Sequence, residues 1–90
     1  MQQNNVLELG EEQIRNEVCR IICGITELKE ELMKDDANFI DDLGIESVMA
    51  IDIIEMIEKK FRIEIPEEKY AEIDCLWSTV NLIKEMTANN

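Results

Sequence analysis

The chain has no histidine, one proline and few aromatic residues: one tryptophan, one tyrosine and two phenylalanines. Without histidine it lacks the commonest general base and the commonest nitrogen ligand for metals. Ser-His-Asp and Cys-His catalysis and His-based zinc sites are excluded, and no metal centre is expected. Cysteine is scarce and odd in number, Cys19, Cys23 and Cys75. No secretory signal is seen, so a disulfide framework is not expected and a reducing, cytoplasmic setting is. Cys19 and Cys23 stand four apart, on one helix face, and read as small buried apolar groups. Basic residues are few as well. Nine Lys and Arg face 21 Asp and Glu, a net charge of −12. That balance excludes a nucleic-acid binder and argues against docking on anionic membranes. Apolar runs span only a few residues, so no membrane insertion is expected.

What is present is a compact pattern. Ninety residues allow one domain with one modest core. Apolar residues make up 46% of the chain, too many for a disordered acidic tail. We expect a disordered segment over 1–7, a single domain over 8–87 and a frayed end over 88–90. From about Glu8 to about Leu28, Ile14, Val18, Ile21, Ile22 and Ile25 follow helical spacing. Lys29–Glu46 reads as a long loop, acidic yet carrying Leu32, Phe39, Ile40, Leu43 and Ile45, which should pin it to the core. A second helix opens at Ser47, in N-cap position before the stripe Ala50, Ile53, Ile54, Ile57 and Phe61. Lys59, Lys60 and Arg62 close it, where cations suit the helix dipole. Ile63–Pro66 is extended. A short helix, Glu67–Ile73, and a last helix, Cys75–Met86, capped by Asp74 and buried through Leu76, Val80, Leu82 and Ile83, complete the order. Tyr70 and Trp77 read as core or core-edge residues. The fold class is all-α, a four-helix bundle of three longer helices and one short one.

The informative stretch is Asp41-Asp42-Leu43-Gly44-Ile45-Glu46-Ser47-Val48. Its plain reading is a serine cap after an acidic turn. Three features ask for more. A helix N-terminus is a natural anion site, suited to a phosphate on Ser47. Val48 and Ile51 are apolar yet lie off the core stripe. Asp35–Glu58 holds eight acids and no base, a one-signed surface suited to steering a partner. An EF-hand reading fails in both registers: from Asp36 the sixth position is Asp41 and the twelfth is Ser47, and from Asp35 the apolar Ala37, Phe39 and Ile40 fall where oxygen ligands or glycine are needed.

Asp-Asp-Leu-Gly-Ile-Glu-Ser-Val resembles the phosphopantetheine-attachment motif of acyl carrier proteins, Asp-Leu-Gly-x-Asp-Ser-Leu. The similarity extends through Phe39-Ile40-Asp41-Asp42-Leu43, Ile57-Glu58-Lys59-Lys60-Phe61, Ile65-Pro66-Glu67-Glu68 and the tail Ile73 to Ile83, about Glu11 to Met86 in all. The resemblance implies a carrier with no active site of its own and a bundle of the acyl-carrier type. Ser47 would accept 4′-phosphopantetheine from coenzyme A, installed by a separate phosphopantetheinyl transferase. The arm's thiol would carry acyl groups as thioesters. Asp42, Gly44 and Glu46 would support the motif. Glu46, Val48, Met49, Ile51, Asp52, Glu55 and Glu58 would form the docking face for basic patches on acyltransferases, ketosynthases or acyl-activating enzymes. A monomer is expected.

Some positions depart from the family pattern. Glu46 replaces the usual aspartate and Val48 the usual leucine. Met49 stands where a further acid is common, Glu55 where an exposed apolar residue is frequent, and Lys59-Lys60 where the surface is often acidic. These departures suit a stand-alone, specialised carrier, as in polyketide metabolism, more than a housekeeping fatty-acid carrier. An aminoacyl or peptidyl carrier of the same fold is the alternative, and −12 speaks against it. An acidic helical adaptor or calcium-binding domain is more remote.

Overall fold

A computed structural model describes residues 10–88, which are helical or irregular with no strand among them. The expected disorder over 1–7 lies outside the described residues. So do the last two positions of the chain, and the last helix still includes Ala88. Three α-helices form the frame: α1, Glu11–Thr26; α2, Ser47–Phe61; and α3, Leu76–Ala88. A 3₁₀ turn, Glu30–Leu32, interrupts the long loop, and a 3₁₀ helix, Glu67–Glu72, precedes α3.

Helix α1 starts after Gly10, whose amide donates to Gln13 Oε1 at 3.0 Å. Glu11 and Glu12 in its first turn suit the positive end of the dipole. Its buried face is Ile14, Val18, Cys19 and Ile22, and it packs on both α2 and α3. Helix α2 buries Ile53, Ile54, Ile57 and Phe61. Helix α3 buries Leu76, Val80, Leu82 and Ile83, with Thr79 and Thr87 returning their hydroxyls to the carbonyls of Cys75 and Ile83. Between Phe61 and Pro66 the chain alternates: Ile63 and Ile65 are buried, Glu64 is exposed. That is the period of extended backbone before proline.

Four expectations need correction. Helix α3 starts at Leu76, and the Cys75 carbonyl accepts the Thr79 amide, so Cys75 rather than Asp74 is the cap residue. The loop is pinned through Met33, Phe39 and Ile45, whereas Leu32 and Ile40 are about half exposed. Leu32 sits in the single 3₁₀ turn, whose residues are all solvent-facing. Trp77 is 52% exposed and is no core residue. Position 77 follows the buried Leu76 at the start of α3 and falls on the helix's outer side. Tyr70, by contrast, is half-buried against the core.

Candidate functional site at the start of α2

The carbonyl of Glu46 accepts the amides of Met49 and Ala50 at 2.9 and 3.0 Å. Glu46 is therefore the extended cap residue, and Ser47 is the first helical residue. Serine sits one position too late to cap, contrary to the expectation from sequence, because capping requires the extended residue before the helix. The consequence is chemical. Ser47 is exposed, and its hydroxyl is not spent on the helix end. The chain has a second serine, Ser78. It is half-buried within α3, with Oγ 3.4 Å from Cys75 Sγ. Only Ser47 combines exposure with a helix N-terminus.

The preceding loop is built to hold that end. Asn38 Oδ1 accepts the amides of Ile40 and Asp41 at 3.0 and 2.8 Å. Asp42 Oδ2 accepts the amide of Asn38 at 2.7 Å, and the Asn38 carbonyl accepts the amides of Asp42 and Leu43. Gly44 has φ +70°, the left-handed region that glycine enters freely. Asp42 and Gly44 thus shape the turn. Asn38, which the sequence reading passed over, is its hub; a loop Asn whose side chain accepts the amide two residues on is the turn chemistry that signals it.

The loop is fastened on two sides, at the start of α3 and on α1. Phe39 donates its amide to the Asp74 carbonyl at 2.8 Å, and Trp77 donates its amide to the Asp35 carbonyl at 2.9 Å. The second bond also satisfies an amide in the first turn of α3, which an isolated helix leaves unpaired. On the α1 side, Arg15 Nε meets Asp35 Oδ1 at 2.7 Å and Nη2 meets the Met33 carbonyl at 3.3 Å. The hydrogen bond to Asp35 raises the Arg15 pKa above its ordinary value.

Beside Ser47 a cleft of about 420 Å³ opens between the loop, α2 and the 3₁₀ helix Glu67–Glu72. Its walls are mostly apolar, with Phe39, Ile45, Ile54, Tyr70 and Ile73 among them, and Asn38, Asp41 and Asp74 add polar atoms. The arrangement offers a free hydroxyl at the positive end of a helix, next to an apolar recess. A phosphodiester on Ser47 fits the first feature electrostatically.

The residues expected on the docking face separate into two groups. Glu46, Val48, Ile51, Asp52 and Glu55 are exposed, Val48 at 66%. Met49 is half-buried and packs against the core. Glu58 is half-buried too, and its Oε2 accepts the Ile65 amide at 2.8 Å, tying α2 to the extended link. Burial raises the thiol pKa of Cys19 and of Cys23. Among the described residues no three metal-ligating side chains gather, and no helix is long and apolar enough to cross a membrane.

Comparison with known proteins agrees with this geometry. The phosphopantetheine attachment site family matches residues 16–83. An acyl carrier protein of Chloroherpeton thalassium is 34% identical over 74 residues, covering 82% of this chain and 92% of the relative. One from Buchnera aphidicola subsp. Acyrthosiphon pisum is 32% identical over 72 residues, covering 80% of this chain and 90% of the relative. The solved structure of an acyl carrier protein from Enterococcus faecalis superposes with a TM-score of 0.74 at 23% identity, over 87% of this chain and 99% of that one, and so shares the fold.

Proposed function

This chain belongs to the acyl carrier protein family, and we propose that Ser47 is the residue that takes its 4′-phosphopantetheine arm. As a family member it carries acyl groups and has no catalytic activity of its own. The bound arm supplies the terminal thiol that holds the cargo. The observation that carries the assignment is the exposed first residue of α2, its hydroxyl unspent, at a helix N-terminus beside an apolar cleft.

The chain's own residues have separable tasks. Asn38, Asp42 and Gly44 hold the turn that delivers Ser47 to the surface. The helix end favours the phosphodiester's negative charge. The cleft walls offer an acyl chain shelter from water, since apolar burial is favourable by about 25 cal/mol per Å². Glu46, Val48, Ile51, Asp52 and Glu55 are the surface that partner enzymes read, with the transferase first among them. The departures at Glu46, Val48, Glu55 and Lys59 favour a specialised carrier over a general fatty-acid one. The strongly acidic balance favours acyl over aminoacyl cargo.

The test is incubation with coenzyme A, magnesium and a broad-specificity phosphopantetheinyl transferase, followed by intact mass measurement. The expected result is one phosphopantetheine per chain, and none on Ser47→Ala. A Ser47→Ala protein that still gains the arm would overturn the assignment.

A further inference from the structure

Six charged groups lie on α2 and its C-cap: Asp52, Glu55, Glu58, Lys59, Lys60 and Arg62. Two are occupied within the fold. Glu58 accepts the Ile65 amide, and Lys60 Nζ lies 3.6 Å from Glu17 Oε1 on α1. Asp52, Glu55, Lys59 and Arg62 are exposed and have no ion-pair partner among the described residues. With Val48, residues Asp52, Glu55 and Lys59 recur at spacings of four, three and four, which puts them in one stripe along the outer face of the helix, and the exposed Arg62 follows at the left-handed C-cap that ends it. Glu55 and Lys59 even stand in the orientation that favours an ion pair along a helix, yet the structure does not pair them. Read from the Ser47 end, the stripe is apolar, negative, negative, positive, positive. The negative and positive centres lie about 10 Å apart along the axis.

We propose that this stripe is a polarised docking surface, matched to a phosphopantetheinyl transferase whose contact surface is basic opposite Asp52 and Glu55 and acidic opposite Lys59 and Arg62. The proposal rests on Ser47 being the attachment site. The transferase must reach the Ser47 hydroxyl itself, with no arm to span a gap. A standard interface covers about 800 Å² on each partner. Spreading from Ser47, such a footprint runs over the face of α2, which is about 22 Å long. A partner that was basic throughout would gain at Asp52 and Glu55 and be repelled at Lys59 and Arg62. The reversal of charge therefore sets one orientation of docking and rejects uniformly basic surfaces. The stripe would also match itself in antiparallel register, Asp52 with Arg62 and Glu55 with Lys59. Two chains of net charge −12 repel, however, which favours a partner of other composition.

The probe is the phosphopantetheinyl transferase from the genome that encodes this chain, with coenzyme A and magnesium. Acceptor kcat and KM are measured at low and moderate salt for the wild type, K59E/R62E, K59Q/R62Q and D52K/E55K. Circular dichroism melting confirms that each variant is folded. K59E/R62E is expected to raise KM about fivefold and D52K/E55K about tenfold, mainly in KM rather than kcat, with K59Q/R62Q in between. The sign is decisive, because a uniformly basic transferase would bind K59E/R62E more tightly than the wild type. An unchanged or lowered KM for K59E/R62E overturns the proposal. So does sedimentation showing a wild-type dimer at micromolar concentration that K59E/R62E disperses. A wild-type chain that gains no arm at Ser47 at all refutes the attachment site instead, a separate outcome.

Discussion

Helices α1 and α2 carry similar chemistry and use it differently. Both bury an isoleucine-rich face. Their charges diverge. Four of the five ion pairs found among the described residues involve α1: Arg15–Asp35, Arg20–Glu17, Lys60–Glu17 and Lys84–Glu11. On α2 and its C-cap, Asp52, Glu55, Lys59 and Arg62 face solvent with no ion-pair partner among the described residues, and Val48 and Ile51 are exposed ahead of them. The charges of α1 are largely paired within the fold, and on the proposed function the unpaired charges of α2 are left for a partner. On that proposal α1, which packs on both other long helices, organises the bundle and α2 presents it.

The largest expected effect comes from attacking what the two helices share. Ile57 on α2 is fully buried. Ile57→Ala should cost about 2–5 kcal/mol, the usual range for such a truncation, measured by urea unfolding. Ile22→Ala on α1 should match it. A cost below about 1 kcal/mol at either site would show that the helix is not part of the common core.

The contrast itself is tested by removing charge on each side. D52N/E55N should raise the transferase KM for this acceptor about three- to tenfold while leaving the melting temperature unchanged or slightly higher. Lys84→Gln, which breaks the Lys84–Glu11 pair of 3.1 Å, should do the reverse. It should cost well under 1 kcal/mol, because both side chains are nearly half exposed, and leave KM alone. If Lys84→Gln altered KM as much as D52N/E55N, the division of labour would fail.

The smallest effect lies in the thiols of α1. Burial raises the pKa of Cys19 and Cys23 in the folded chain. Their stabilising contribution is whole below the unfolded thiol pKa and is lost as pH rises through the folded value. The urea midpoint should therefore fall between about pH 8 and about pH 10, and Cys19→Ala should flatten that fall. An equally steep fall in Cys19→Ala would assign the loss to other groups.

Much of this was legible in the residues. The stripe of α2, the Ile63–Pro66 link and the buried set of α3 follow from periodicity and proline chemistry, and each stands where expected. The motif Asp-Leu-Gly-Ile-Glu-Ser placed Ser47 at a helix start, because a free polar side chain before an apolar run has few other local roles. Contacts across the fold were less legible. Whether Ser47 caps or merely opens the helix turns on one residue's backbone angles. Glu58 reads as one more acid of the outer face until the Ile65 amide is seen beneath it. The exposure of Leu32, Ile40 and Trp77 depends on how the loop is seated in the fold, and the cleft beside Ser47 exists only between elements distant in sequence. Pattern reports which face of a helix is apolar, and says little about the gaps between helices.

The two serines allow the most direct test of the central claim. Wild-type chain treated with transferase, coenzyme A and magnesium is digested, and the modified peptide is sequenced by tandem mass spectrometry. The expected result is a single phosphopantetheine on Ser47, at the exposed start of α2. An arm on half-buried Ser78, or on neither serine, would contradict it.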